Sequence, residues 1–150
     1  MFRLFYSLFI LTLSIAAQET KDPAAGHSYH GEVFNEGPRQ AARLLGGTGQ
    51  VEFEITTNSS KTKQFFLQGV GQLHGFWYFE AERSFRQAAV TDKQCAMAYW
   101  GMAMANISNE KRARAFLAQA YKYIDSASER EKMYIDSYAM RIGLPKDEAA

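Results

Sequence analysis

The strongest constraint on the fold is a self-similarity in the second half of the chain. When the sequence is shifted by 32 positions, small residues fall on small ones and a large apolar residue falls on another: the pairs are Gly69 and Gly101, Ala81 and Ala113, Phe85 and Leu117, and Ala88 and Ala120. Small residues at fixed places let two antiparallel helices approach closely, while the large residue fills the space to the next pair. The spacing therefore predicts consecutive helical hairpins with a shared packing pattern.

Hydrophobic periodicity and capping signals predict five helices in this region. Asp92 is a good N-cap for the third helix. Ser128 stands at capping-box spacing from Glu131 at the start of the fifth helix, and Gly143 closes it. The expected helices cover about 61–74, 77–90, 93–106, 110–124 and 128–142.

Two motifs within this pattern resemble the second helix of the tetratricopeptide repeat: "AERSFRQA" at 81–88 and "ARAFLAQA" at 113–120. The resemblance covers about 61–142, although Lys93 stands where that family usually has proline. It implies an all-α fold of antiparallel helical hairpins, a TPR-like α-solenoid with about two repeats and part of a third. The wider phrase at 65–105 is also similar to secreted bacterial repeat proteins of mostly unassigned function.

The N-terminus has a different character from the repeats. Arg3 followed by the apolar run at 4–15 is typical of a secretory signal, with an uncleaved anchor as the alternative. The signal predicts a secreted or periplasmic protein. We expect a signal peptide at 1–17, an irregular arm with a short extended segment at 18–60, helical repeats at 61–142, and a polar tail or truncation point at 143–150.

One stretch of the arm has a period of two. Val51, Phe53 and Ile55 alternate with polar residues, which predicts a half-buried strand or extended segment. Because one strand cannot form a sheet, we expect this segment to lie along the helices or to pair outside this chain.

The segment "GFWYFEAERSFRQAA" at 75–89 concentrates five aromatic residues. Helical spacing favours a packing role, because one stripe faces the partner helix: Trp77, Ala81, Phe85 and Ala88. The charged residues Glu82, Arg83 and Arg86 are expected mainly toward water. The alternative is a ligand-binding role for Trp77, Tyr78 or Phe79.

The family resemblance also implies a binding surface. In tetratricopeptide arrays, the first helix of each pair lines an inner surface that generally holds peptides. The matching positions in this sequence are Lys63, Phe66, Val70, His74, Met102 and Asn106. We therefore expect a protein or peptide partner on a concave helical surface, held by apolar burial with polar residues at the rim. His74 also fits a simpler role, as a basic residue at the end of a helix.

The fifth helix carries more apolar residues than its neighbours in the sequence can cover: Met133, Tyr134, Ile135, Tyr138 and Met140. Repeat arrays bury each apolar face against the next repeat. The pattern therefore predicts either further repeats of a longer chain or a partner chain on this face.

A possible metal site precedes the repeats. His27 and His30 are three residues apart, with Glu32 close behind, and imidazole and carboxylate suit zinc and other divalent transition metals. The arrangement has no supporting helix motif, so solvated loop histidines or a docking peptide are the alternatives. A metal-binding or redox-linked exported protein that uses this arm is the second functional hypothesis.

Charge and cysteine content narrow the remaining classes. The chain has 17 basic and 16 acidic side chains and no basic block, which argues against nucleic acid and against electrostatic attraction to a membrane. Cys95 is the single cysteine, and its apolar neighbours predict a buried thiol. No nucleophile, base and orienting group can be assembled from spacing, so a non-enzymatic function without a cofactor is favoured and enzyme activity is left open.

Overall fold

The helices are the framework of the molecule. A computed structural model describes residues 41–144, and this range contains five α-helices and no β-strand, which confirms the all-α prediction. No helix within the range is long and apolar enough to cross a membrane. The helices are α1 Ser60–His74, α2 Tyr78–Thr91, α3 Ala96–Ala105, α4 Glu110–Lys122 and α5 Glu129–Arg141, with a 3₁₀ turn at Ile124–Ser126 between the last two.

Short connections fold these helices into pairs. α1 packs extensively against α2, and α3 against α4, while α2 lies against α3 and joins the two pairs. α5 packs on both α3 and α4, and α1 also touches α3. Each of the five helices contributes one large and fully buried side chain to a common core: Phe66, Phe85, Met97, Leu117 and Ile135.

Phe85 packs between two helices that each present a glycine to its ring. A Cβ atom added to Gly69 would lie 2.7 Å from Phe85 Cε1, and one added to Gly101 would lie 2.4 Å from Phe85 Cδ1. Both distances are below the 3.0 Å that real Cβ atoms keep. The two glycines that the shift of 32 positions superimposes are therefore the places where α1 and α3 approach the same ring of α2.

The helix starts confirm one predicted cap and correct another. Ser128 Oγ accepts from Glu131 N–H at 3.4 Å and Glu131 Oε2 accepts from Ser128 N–H at 2.7 Å, so the capping box of α5 is confirmed. The prediction for Asp92 was wrong, because α3 begins at Ala96 and Asp92 ends α2. Its Oδ1 accepts from Gln94 N–H at 3.0 Å, so the carboxylate stabilises the turn instead of capping α3.

The end of α1 sets the start of α2. Phe76 N–H donates to Leu73 O at 3.0 Å and Trp77 N–H donates to Gln72 O at 2.9 Å, the two bonds of a Schellman motif. The residue in the left-handed conformation is Phe76, with φ of 61°, whereas Gly143 holds that position after α5. This turn delays α2 to Tyr78 and leaves Trp77 outside the helix.

Residues 51–57 run into α1 without helix or strand, as an extended segment with alternating burial. Val51, Phe53, Ile55 and Thr57 are partly buried, and the residues between them are exposed. The period of two in the sequence thus corresponds to one side of the segment facing the helices.

Candidate functional site

The extended segment crosses a face that α1, α3 and α5 share. The ring of Phe53 lies 5.4 Å from Phe66 of α1, 6.0 Å from Trp100 of α3 and 5.2 Å from Tyr134 of α5, measured between centroids. Trp100 and Tyr134 also meet edge to face at 5.5 Å. Alternate helices therefore form one aromatic face, on which an extended chain lies. We refer to this face, with Phe66, Trp100 and Tyr134 as its rings, as the inner face.

One carboxylate holds the end of the segment. Glu131 Oε1 accepts from Thr56 N–H at 2.7 Å, and Glu131 Oε2 accepts from the Thr56 hydroxyl at 2.5 Å. Burial alone raises the pKa of the Glu131 carboxyl, but the hydrogen bonds from Thr56 and Ser128 outweigh it, so the pKa lies below its ordinary value. The same carboxylate caps α5, so the helix start and the segment are held by one group.

Two further contacts flank this carboxylate. The Thr57 hydroxyl donates to Asp92 Oδ2 at 2.6 Å, which ties the segment to the end of α2. Arg130 donates to the backbone carbonyl of Glu54, and its guanidinium lies 5.1 Å from the centroid of the Phe53 ring. The segment is therefore held both through its main chain, at Thr56 N–H and Glu54 O, and through the hydroxyl groups of Thr56 and Thr57.

Four of the six residues predicted to contact a partner are buried. Phe66, Val70, Met102 and Asn106 belong to the interior, whereas Lys63 and His74 are exposed. These four side chains are therefore not accessible in this structure, and their contact with a partner stays a prediction. The physical reason at Phe66 is visible: Phe53 of the chain's own segment packs against it, and on the other side the ring of Phe85 lies 5.4 Å away.

Asn106 belongs to a buried cluster of polar and charged side chains around Glu82. The sequence pattern had predicted that Glu82 faces water. Glu82, expected to be solvated, is fully buried. Its Oε1 accepts from Arg86 Nε and from an Arg112 N–H, both at 2.7 Å, and its Oε2 accepts from Asn106 Nδ2 at 2.9 Å. Arg112 Nε in turn donates to Asn106 Oδ1 at 2.8 Å.

This cluster joins α2, the end of α3 and α4. Burial raises the pKa of Glu82, but the charges of Arg86 and Arg112 and the Asn106 amide outweigh that effect and lower the pKa below its usual value. The carboxyl is therefore ionised and saturated with donors, and both guanidinium groups also lie on the ring of Phe116, at 5.1 and 5.4 Å. Such an arrangement is structural, because a carboxylate fixed by two cations is a poor general base.

The packing prediction for the aromatic segment holds for one part and fails for another. Ala81, Phe85 and Ala88 are buried between helices as expected. Trp77 is 60% exposed and Phe76 is 77% exposed, so the ring of Trp77 does not belong to the stripe. The Schellman turn explains the difference, since it removes Trp77 from the helical register of α2.

The remaining candidates for chemistry fall into two groups. His27, His30 and Glu32 lie outside the described residues. Between residues 41 and 144, no group of three or more His, Cys, Asp or Glu side chains is arranged to hold a metal ion. Cys95 is buried, and burial raises its pKa to about 12, so it is a neutral thiol at physiological pH.

Sequence reasoning missed the contacts that define the inner face. Trp100 and Tyr134 were not singled out as ligands of the segment, and Glu131 was recognised only as a cap. The available signals were the alternation around Phe53 and the capping box, but neither says that the two meet. Comparison of this chain with protein-family models, with curated proteins and with solved structures finds no match.

Proposed function

We propose that this protein is an exported helical-repeat module of tetratricopeptide type that binds an extended peptide of a partner protein. The two helical pairs and the two glycines that meet Phe85 at equivalent positions support the repeat arrangement. The secretory pattern at the N-terminus supports export to the periplasm or beyond. Partner recognition then takes place on the inner face, which the first helix of each pair supplies.

One observation carries the proposal: residues 51–57 lie on the inner face as an extended peptide. Phe53 packs among the rings of the face, and Val51 and Ile55 pack against the core. Glu131 and Arg130 bind the main chain of the segment. These are the two elements of extended-peptide recognition, since backbone bonds give affinity and alternate side chains give specificity. A partner with apolar residues at every second position fits the same contacts.

The segment and a partner peptide compete for one surface. A tethered ligand acts at an effective concentration that reaches about the millimolar range for short linkers. A free peptide therefore binds only when its affinity and concentration are high enough to displace the tethered segment. Ser59 caps α1 directly after the segment, so the tether is short. We therefore infer that the chain's own segment lowers the apparent affinity for the partner and sets a threshold for binding.

The experiment uses the synthetic peptide QVEFEITTN, which corresponds to residues 50–58. The full chain with Phe53→Ala and Ile55→Ala retains the inner face but weakens its own segment. We expect labelled peptide to bind this variant at least about tenfold more tightly than it binds the natural chain. Circular dichroism verifies that the helices are retained.

Two matched controls make the test specific. A peptide with alanine in place of Val51, Phe53 and Ile55 keeps the charges and loses the inward side chains, so it is expected not to bind. The Glu52→Ala/Glu54→Ala chain changes only outward residues, and we expect it to exclude the peptide as the natural chain does. Equal binding to all chains, or binding of the alanine peptide, contradicts the proposal.

A second surface fits continuation of the array. Met133 and Met140 of α5 are 64% and 79% exposed, one on each side of Ser137 along the same helical stripe. Exposed apolar residues at this spacing match the face that a following helix covers in a repeat array. We propose that another helix, from further repeats or from the partner, packs on this stripe.

A further inference from the structure

A groove separate from the inner face lies where residues 45–48 pass over the end of α1. It encloses about 390 Å³ between this loop, the last turns of the helix and Trp77. That volume is in the lower part of the range for small-molecule sites, which favours a compact ligand over an extended chain. None of the described residues that line it carries a charge, so an uncharged ligand suits it.

A directed series of hydrogen bonds leads to the floor of this groove. Leu45 N–H donates to Gln68 Oε1 at 2.8 Å, and Gln68 Nε2 donates to Arg43 O at 2.8 Å and to Ser84 Oγ at 2.9 Å. The Ser84 hydroxyl then donates to Gln72 Oε1 at 2.7 Å. The Ser84 hydroxyl accepts from Gln68 and therefore donates its own hydrogen to Gln72. The Gln72 amide thus has its oxygen toward Ser84 and its NH₂ group away from it.

The NH₂ group at the end of this series has no hydrogen-bond partner among residues 41–144. Gln72 is only 2% exposed, and its Nε2 finds no hydrogen-bond acceptor in the described part of the chain. Buried donors without acceptors are uncommon because they forfeit their hydration. Gln72 lines the groove, so a ligand bound there lies beside the residue whose amide donor finds no acceptor in the described part of the chain.

The turn beside the groove presents an aromatic ring at a conformational cost. Phe76 holds a left-handed conformation that glycine adopts more easily, and the next residue, Trp77, is exposed at the wall of the groove. Strain of this kind is common at binding sites. The face of an indole ring attracts the polarised C–H groups on the apolar side of a sugar ring.

We propose that this groove binds an uncharged saccharide. Trp77 packs against the apolar face of a sugar ring, and Gln72 Nε2 donates to a carbonyl or hydroxyl oxygen of the ligand. The site is independent of the inner face, which lies around Phe53 and shares none of the residues that line this groove. The protein would then hold a saccharide and a peptide at separate places.

The test titrates the full chain with three uncharged disaccharides: N,N′-diacetylchitobiose, cellobiose and maltose. The readout is the nuclear magnetic resonance signal of the Trp77 indole N–H, assigned with the Trp77→Phe variant. We expect at least one disaccharide to shift this signal saturably. Gln72→Met and Trp77→Ala are expected to weaken binding about tenfold each, measured by calorimetry.

Tyr78→Ala is the matched control, because Tyr78 is an exposed aromatic residue at the start of α2 that does not line the groove. It is expected to leave saccharide binding unchanged. Trp77 is largely exposed, so its replacement tests the site even where Gln72→Met lowers stability. The proposal is overturned when no disaccharide shifts the indole signal, or when Trp77→Ala binds as the natural chain does.

Discussion

Replacing Gly101 by alanine tests the packing on which the helical pairs depend. The added Cβ would lie 2.4 to 2.6 Å from three atoms of the Phe85 ring, and Phe85 is fully buried with Gly69 on its other side. Because the ring is fully buried and lies between two helices, the clash is relieved only when the ring or the backbone shifts. Overpacking of this kind costs about 1–3 kcal/mol, and the higher helix propensity of alanine recovers about 1 kcal/mol.

Because the added Cβ lies so close to the Phe85 ring, we expect an overpacking cost in the upper part of the range of about 1–3 kcal/mol. We therefore expect Gly101→Ala to lower the free energy of unfolding by about 1–2 kcal/mol. Urea denaturation followed by far-UV circular dichroism measures this change, and the melting temperature should fall by roughly 4–8 °C per kcal/mol for a domain of this size. An unchanged denaturant slope identifies the effect as one on the folded state.

The matched control is the same substitution in a Phe85→Leu background. Leucine stands at the equivalent position, Leu117, and its shorter side chain leaves room for the new methyl group. In that background we expect Gly101→Ala to be neutral or slightly stabilising, which gives a coupling of about 1–2 kcal/mol between the two sites. An equal cost in both backgrounds, or a natural chain no more stable than Gly101→Ala, would refute the reasoning.

Three further predictions concern the segment, the turn and the arm. Glu131→Gln should cost about 1–3 kcal/mol at pH 7, because the carboxylate accepts two bonds from Thr56. The pKa of Glu131 in the folded chain lies below its ordinary 4.5, so this stability is fully present above pH 4.5 and is lost as the pH falls through the folded pKa. A stability difference between the two chains that does not change with pH would contradict the role of the carboxylate. Phe76→Gly should raise the free energy of unfolding by about 1 kcal/mol in thermal melts, because it relieves a left-handed phenylalanine that is mostly exposed; destabilisation would show that its ring packing matters more. His27→Ala/His30→Ala should leave the metal content of tag-free protein unchanged in elemental analysis, whereas stoichiometric metal that the variant loses would favour the metal-binding alternative.

Local patterns were sufficient to predict that the five helices between residues 41 and 144 exist, but not where α3 begins. The periodicity of apolar residues and the signals at Ser128, Glu131 and Gly143 depend on neighbours within one or two turns, and those neighbours are adjacent in the sequence. The spacing of Gly69 and Gly101 also carried information about packing, because the same contact with a ring recurs at a fixed interval.

The burial of Glu82 on α2 could not be predicted from local sequence patterns. Glu82 is adjacent to Ala81 on the helix, and only the position of α4 makes that side an interior. Arg112 and Asn106 reach it from residues far along the chain, so no local pattern distinguishes it from a solvated glutamate. A buried charge needs donors from several elements, and their meeting is a property of the fold.

The sequence by itself determined the five helices between residues 41 and 144 and the alternation of residues 51–57, because each depends on spacing along one chain. Only the tertiary structure decided that Phe53 meets Phe66, Trp100 and Tyr134, and that the inner face is therefore occupied by the chain itself. The physical reason is that this face exists only after three separate helices have packed side by side. Which side chains meet on this face depends on distances in space that the order of residues along the chain does not specify.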